Sequence, residues 1–126
     1  MEKKIITSAN SPAPIGPYSS AVLVGNTLYI SGQVPKDAKT GEMVQHNITA
    51  ETHKVMENLQ AILTDAGMSF SNVVKTTIFC INLDNFAAIN EAYGSYFTDN
   101  FPARETVQVS RLPLGANVEI SMIAVK

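Results

Sequence analysis

The chain has few of the residue patterns that mark a metal, nucleotide or redox site. Its only cysteine, Cys80, cannot form a disulfide within the chain. Neither of the two histidines, His46 and His53, has a cysteine or carboxylate partner at a familiar metal-ligand spacing. No HExxH, CxxC, GxGxxG or GxxxxGK(S/T) motif occurs. The sequence therefore predicts no metal site, and it gives little support to a nucleotide or dinucleotide cofactor.

The chain also has few basic residues, and they are scattered along the sequence. Nine Lys and Arg residues stand against eleven Asp and Glu, for a formal net charge of -2, and only Lys3 and Lys4 are adjacent basic residues. Because nucleic-acid binding normally needs a basic stripe or patch, a nucleic-acid partner is not expected. No apolar run follows the basic residues of the first sixteen positions, so we expect no signal peptide, no membrane span and a cytoplasmic location.

The composition that remains is that of a folded protein. The chain has 126 residues, of which 45% are hydrophobic and 16% charged, and no segment resembles a linker. This length is enough to bury a core, and we expect a single domain over residues 1–126. Cys80 lies in the apolar run VVKTTIFCI, which is typical of a small buried core residue.

Periodicity predicts the first elements of the fold. AVLVGNTLYISG contains two apolar runs separated by Gly25 and Asn26, a pattern typical of a two-residue β-hairpin. Apolar residues then recur at helical spacing over 47–66. Asn47 or Thr49 is the expected N-cap of this helix, and Gly67 is the expected C-cap.

Further elements complete an α+β pattern. Residues 73–81 are rich in β-branched and aromatic side chains and predict a strand, and a second helix is expected from about Asp84, its cap, through Phe97. Two more strands, over 105–110 and 117–125, are joined by RLPLGA, whose Pro and Gly mark a turn. Such an order favours a mixed sheet with both helices packed on one face. If the last two strands formed a hairpin, Arg104 would fall several residues away from Glu119.

The last predicted strand, NVEISMIAV, is apolar on both faces and yet carries Glu119. A carboxylate buried alone costs several kcal/mol, so such a residue is usually at an edge, paired or functional. Two helices cover only one face of a sheet, and the other would remain an exposed apolar patch unless another chain covers it. The pattern therefore predicts a homo-oligomer with Glu119 near a subunit interface. Pairing with a Lys or Arg across that interface is an alternative role for Glu119.

Four segments together resemble the RidA (YjgF/UK114) family: GPYS at 16–19, SGQ at 31–33, PAR at 102–104 and the following VQVSRLPLGANVEISMIAV. They occur in order and cover nearly the whole chain. The resemblance implies a chorismate-mutase-like fold of the bacillus type and a homotrimer with three clefts between subunits. It also implies hydrolysis, without a cofactor, of reactive enamines and imines such as 2-aminoacrylate, 2-iminopropanoate and 2-iminobutanoate to 2-keto acids and ammonia.

The same resemblance implies roles for individual residues. Arg104 matches the arginine that binds the substrate carboxylate, for which a planar guanidinium is better suited than an ammonium. Glu119 matches the acid that positions a water molecule and relays its proton, and partial burial would raise its pKa toward neutrality. The other matching positions are pocket residues: Tyr18, Ser31, Gly32 and Asn90.

Thr106 departs from the family pattern, since several members have cysteine at this position. No thiol can take part here, although the backbone N–H of Thr106 can still bind the substrate carboxylate. Two other functions stay open at this point: a non-catalytic trimer that binds small carboxylates, and a translation inhibitor or ribonuclease. Taken singly, Arg104 also fits a solvated loop residue, Tyr18 fits loop packing and Asn90 fits a helix surface.

Overall fold

A six-stranded mixed sheet, covered on one face by two helices, makes up the fold. The computed structural model describes residues 1–126. In chain order the elements are β1 (Lys3–Ile6), β2 (Ala21–Val24), β3 (Thr27–Gln33), α1 (Ile48–Asp65), β4 (Val73–Cys80), α2 (Phe86–Gly94), β5 (Ala103–Gln108) and β6 (Val118–Val125). The strand order is β1-β2-β3-β6-β4-β5, and only β4 and β5 are parallel. The predicted α+β architecture is confirmed.

The first half of the chain follows its sequence pattern closely. The β2–β3 hairpin turns at Gly25, whose φ of 60° is left-handed, and at Asn26. The Asn47 side chain caps α1 by accepting a hydrogen bond from the backbone N–H of Ala50 at 2.8 Å. The C-cap is one residue earlier than predicted, at Ala66, and Gly67 follows with a φ of 73°. Strand β1, which the sequence analysis did not predict, pairs antiparallel with β2.

Helix α2 is shorter than predicted. A 3-10 turn, Leu83–Asn85, precedes it, and this turn is capped by the side chain of Asn82, which accepts a hydrogen bond from the backbone N–H of Asp84 at 2.9 Å. The prediction of Asp84 as the helix cap is therefore wrong. The helix ends at Gly94, and Phe97 lies beyond it with its ring 5.0 Å from that of Tyr93. Neither helix is long and apolar enough to cross a membrane.

The last two strands are not neighbours, so a β5–β6 hairpin is ruled out. Strand β4 lies between them, parallel to β5 and antiparallel to β6. The reason is that α2 connects β4 to β5, and a helical crossover joins parallel strands. The segment RLPLGA instead leads from one side of β4 to the other through a 3-10 turn, Pro113–Gly115.

The core lies between the helices and one face of the sheet. Along β6, Val118, Ile120, Met122 and Ala124 are buried toward the helices, whereas the alternate residues face the other side. Cys80 is fully buried, as predicted, and burial raises the pKa of its thiol. The opposite sheet face has no helix over it and exposes half of Tyr29. The face is mixed, since Tyr29, Phe79 and Ile123 share it with Thr77, Ser121 and the Lys75–Glu105 ion pair. That another chain covers it stays a prediction.

A buried carboxylate fixes the position where β6 begins. Glu51, in the first turn of α1, is 2% exposed. Its two oxygens accept hydrogen bonds from the backbone N–H of Asn117 at 3.2 Å and from Asn117 Nδ2 at 2.6 Å. Nearby, Gln45 Nε2 donates to the carbonyl of Gly115 at 2.8 Å. These contacts attach the turn before β6 to the start of α1, and the sequence analysis missed them.

Candidate functional site

Glu119 lies on the open face of the sheet, packed against Gly32 of β3. A β-carbon at Gly32 would lie 2.7 Å from Glu119 Oε2 and 2.8 Å from its Cδ, so only glycine leaves room for the carboxylate. The pairing of β3 with β6 shifts register between Ile30 and Gln33, where Ser31 and Gly32 stand. Bulges of this kind redirect side chains at functional sites. Here the irregularity and the missing side chain together make the space that Glu119 occupies.

A cleft of about 500 Å³ opens beside this carboxylate. It brings together four of the predicted pocket residues: Tyr18, Ser31, Gly32 and Glu119. The remaining wall, which the sequence analysis missed, is apolar and consists of Ile15, Val34, Pro113 and Leu114. Leu114 has a left-handed backbone with a φ of 59°, a strained conformation for this residue that no local sequence signal announces.

The loop before β2 is tied to the cleft through Ser31. The Ser31 hydroxyl donates a hydrogen bond to the carbonyl of Ser19 at 2.6 Å, and the Ser31 backbone N–H donates to the carbonyl of Ser20 at 2.9 Å. Tyr18, which precedes Ser19 in this loop, is half exposed at the mouth of the cleft. Ser31 thus holds in place the segment that carries Tyr18.

Glu119 is a carboxylate without a charged partner in its own chain. The ion pairs of the structure join Lys54 to Asp37 and Glu57, and Lys75 to Glu105. Partial burial raises the pKa of Glu119, with no hydrogen bond or positive charge to offset it. A carboxyl group in this environment is suited to accept and return a proton.

Arg104 lies on the other face of the sheet, between β5 and helix α2. Its guanidinium carbon is 5.2 Å from the ring centroid of Tyr93 and 5.7 Å from that of Phe86. The Tyr93 hydroxyl donates a hydrogen bond to Thr76 Oγ1 at 3.0 Å, and burial raises the pKa of this hydroxyl. Arg104 is therefore a half-buried residue packed on aromatic rings and not a solvated loop arginine.

Two unpaired polar atoms belong to the same side of the sheet as Arg104. Thr106 follows Arg104 by two residues on β5 and faces the same way, and Asn90 lies one helical turn from both Phe86 and Tyr93 on α2. The buried oxygens Thr106 Oγ1 and Asn90 Oδ1 have no hydrogen-bond partner. Buried polar atoms are nearly always paired, so these two oxygens beside Arg104 are candidates to bind a ligand or water.

The predicted residues therefore form two separate groups. Arg104 pairs in register with Thr76, which faces the helices, whereas Glu119 pairs with Phe79, which faces the open side. Because the two side chains point to opposite faces of one sheet, one chain alone does not bring them to a common substrate. No group of three or more His, Cys, Asp and Glu side chains is arranged to hold a metal ion.

Comparisons with known proteins agree over nearly the whole chain. The sequence model of a family described as Endoribonuclease L-PSP matches residues 8–126. Protein DfrA of Myxococcus xanthus is 53% identical over 127 residues, covering 99% of this chain and 97% of DfrA. Human 2-iminobutanoate/2-iminopropanoate deaminase is 43% identical, covering 98% of this chain and 90% of the human protein. The crystal structure of RidA from the Antarctic bacterium Psychrobacter sp. PAMC 21119 gives a TM-score of 0.94 at 41% identity, covering 98% of this chain and 99% of that one.

Proposed function

The chain belongs to the RidA (YjgF) family and has its chorismate-mutase-like α+β fold, and from this premise we propose that it hydrolyses reactive 2-imino acids to 2-keto acids and ammonia. The observation that carries the proposal is Glu119, a half-buried carboxylate without a charged partner that lines a cleft. The human relative is named for 2-iminobutanoate and 2-iminopropanoate, and these two imines are the first substrates to test.

The proposed enzyme is a homotrimer whose sites are shared between subunits. Arg104 and Glu119 point to opposite faces of their own sheet, so a site that contains both needs a second copy of the chain. The sheet face without helices, on which Tyr29 is half exposed beside Ile123, offers a surface for that contact. One side of each site then supplies Arg104, Thr106 and Asn90, and the other supplies the partner subunit's Glu119 with Tyr18, Ser31 and Gly32 of the same partner subunit.

Each side has a distinct chemical task. The planar guanidinium of Arg104 binds the substrate carboxylate through two N–H groups. The backbone N–H of Thr106 adds a third donor, for which no thiol is needed. A water molecule attacks the imine carbon and gives a proton to Glu119. Glu119 returns the proton to the nitrogen of the resulting tetrahedral amino alcohol. Collapse to the keto acid then forms the carbonyl and breaks the carbon–nitrogen bond, while the hydroxyl proton passes through Glu119 to the departing nitrogen and ammonia is released.

Two alternatives account for fewer of the observations. A non-catalytic trimer that binds small carboxylates needs only the Arg104 side, and it leaves an unpaired, half-buried Glu119 without a purpose. A ribonuclease, the activity in the description of the family's sequence model, needs a basic surface. This chain has a net charge of -2, and its Lys54 and Lys75 are paired with carboxylates.

The function is tested by coupling a serine or threonine dehydratase to detection of the keto acid, and asking whether the protein accelerates its release. Glu119→Gln keeps the shape of the side chain and removes the proton acceptor, so turnover should fall about 100- to 10,000-fold. It should still bind pyruvate, as measured by calorimetry. Arg104→Lys keeps the charge but loses the two-pronged contact, and both binding and turnover should fall.

The turnover and binding measurements distinguish the proposed enzyme from a carboxylate-binding protein. If Glu119→Gln released keto acid at the parent rate, Glu119 would be a structural charge and the proposed mechanism would be wrong. If the parent protein bound pyruvate but did not accelerate keto-acid release, the carboxylate-binding function would replace the enzyme. Each variant must first show the parent's mass in solution and a cooperative thermal unfolding transition.

A further inference from the structure

We propose that Phe86 and Tyr93 are positioning residues that hold the guanidinium plane of Arg104, so that its outer N–H edge is aimed at the substrate carboxylate. The inference rests on the proposed function for the identity of the ligand. It concerns residues of α2 that do not themselves bind the substrate.

The two rings are the contacts that define the orientation of Arg104. Its guanidinium carbon lies 5.2 Å from the Tyr93 centroid and 5.7 Å from the Phe86 centroid, both within the range of cation–π contact. The side chain makes no ion pair, and it donates no hydrogen bond to another group of the chain. A long side chain without such anchors normally keeps much of its rotamer freedom, which binding would then have to remove.

Tyr93 is itself held in place. Tyr93 is buried, and its hydroxyl donates to Thr76 Oγ1 at 3.0 Å, on the strand next to β5. Phe86 is the first residue of α2. The spacing of Phe86 and Tyr93 is two helical turns, so both rings lie on one face of α2. This face is directed at Arg104.

Core packing does not account for Phe86. Its side chain is 41% exposed, and it is not part of the buried hydrophobic cluster. The exposed part of the ring is free of the core, and the Arg104 guanidinium lies over it. Contact with the guanidinium gives the exposed ring a purpose.

The geometry of the ligand agrees with this arrangement. A carboxylate binds a guanidinium in its plane, along the edge, through two parallel N–H···O hydrogen bonds. Aromatic rings bind the face of the same group, so they do not compete for these N–H donors. Arg104 has two rings within 6 Å of its guanidinium carbon and no N–H group committed to another part of the chain, so its donors are available to a carboxylate before the ligand arrives.

The first test compares two substitutions of one residue. Phe86→Leu removes the ring and keeps an apolar side chain, whereas Phe86→Tyr keeps the ring. Phe86→Leu should weaken pyruvate binding by about 2- to 30-fold, the range that cation–π contacts support. In the imine assay KM should rise by a similar factor while kcat changes less, since binding and not chemistry is affected. Phe86→Tyr should bind pyruvate within about twofold of the parent.

The second test needs no substrate. The Nε–H signal of Arg104, assigned by its loss in Arg104→Lys, should show an upfield ring-current shift and restricted motion in the ligand-free parent. Phe86→Leu should move this signal downfield and increase its mobility, and Phe86→Tyr should restore both. Phe86→Met, which also lacks a ring, checks the result if the leucine variant does not fold.

Several results would overturn the proposal. An Arg104 signal that is equally shifted and ordered in Phe86→Leu would show that the ring does not hold the guanidinium. Equal losses of pyruvate binding in Phe86→Leu and Phe86→Tyr would indicate a packing role. A parent protein that neither binds pyruvate nor hydrolyses imines would contradict the proposed function, and the Arg104 signal would still decide whether the rings fix the arginine.

Discussion

The Glu119 carboxylate lies directly over the α-carbon of Gly32, so closely that a β-carbon there would stand 2.7 Å from Oε2 and 2.9 Å from Cγ. Real β-carbons essentially never come within 3.0 Å of a heavy atom outside their own residue and its chain neighbours. The position of this carboxylate in the cleft therefore depends on the absence of a side chain on the neighbouring strand.

Gly32→Ala should displace the Glu119 carboxylate and lower imine turnover about 100-fold, the usual cost of moving a catalytic group by about 1 Å. Stability should change little, because Gly32 is exposed and does not have a left-handed backbone. Gly94→Ala is the matched control, since its added β-carbon meets nothing within 4 Å. Turnover of Gly32→Ala at the rate of Gly94→Ala would show that the position of Glu119 is unimportant.

Two inactive variants should restore activity when they are mixed. Arg104→Ala and Glu119→Gln each remove one side of the site, and in the proposed trimer these sides come from different subunits. After denaturation and joint refolding of equal amounts, about one site in four should contain both native residues. The coupled dehydratase assay measures the recovery.

The control for this experiment is each variant refolded alone, which should stay inactive. A mixture as inactive as its parts, with mixed trimers confirmed by mass spectrometry, would place both residues in one subunit's site and contradict the proposed assembly.

The raised pKa of Glu119 should appear in the pH dependence of activity. Burial favours the protonated form, so the carboxylate that accepts the proton is lost at a higher pH than for an ordinary glutamate. The rate kcat/KM should fall on the acid side as pH drops through this raised pKa. The residual kcat/KM of Glu119→Gln should not fall in this way at acid pH. If the kcat/KM of the parent fell only at the pKa of an exposed glutamate, Glu119 would not be the proton acceptor.

The same shift should affect stability. Because the folded pKa lies above the unfolded value, Glu119 costs nothing below about pH 4, where both states are protonated. As pH rises through the folded pKa, the folded chain must keep a half-buried charge and loses stability. Glu119→Gln should therefore have a higher Tm than the parent at neutral pH, and the difference should close at acid pH. Scanning calorimetry over that range measures it.

Removing the carboxylate that positions β6 should destabilise the fold. Glu51→Ala leaves the partly buried backbone N–H and side-chain amide of Asn117 without their acceptor, which typically costs about 1–3 kcal/mol in the free energy of unfolding. Glu57→Ala is a matched control on the same helix, because its only ion pair is at the surface and should be worth less than about 1 kcal/mol. Urea unfolding of both variants makes the comparison, and equal losses would rule out a special role for Glu51.

Local patterns predicted the helices and the hairpin because the signals for them lie within a few residues: the Gly25 turn, the Asn47 cap and the apolar periodicity of α1. The order of β4, β5 and β6 in the sheet could not be predicted from local sequence patterns. It follows from the crossover through α2 and not from the turn that precedes β6. Strand β1 was missed because only Ile6 of its four residues is buried.

The candidate site was predicted residue by residue from the family resemblance, but not as two groups on opposite faces. That division needs the register of β4 with both of its neighbours, which no sequence pattern supplies. The apolar stripe of α2 indicated a helix and did not reveal that Phe86 and Tyr93 pack on Arg104.

Strand β6 is the last strand along the chain and yet lies in the middle of the sheet, between β3 and β4. During synthesis, β4, α2 and β5 therefore leave the ribosome before the strand that joins them to β1, β2 and β3 exists. The Arg104 side is built from consecutive segments, whereas the Glu119 cleft unites distant parts of the chain, a class of contact that forms slowly. A nascent chain should thus acquire its carboxylate-binding side first, and the acid that completes the chemistry arrives with the strand that closes the fold.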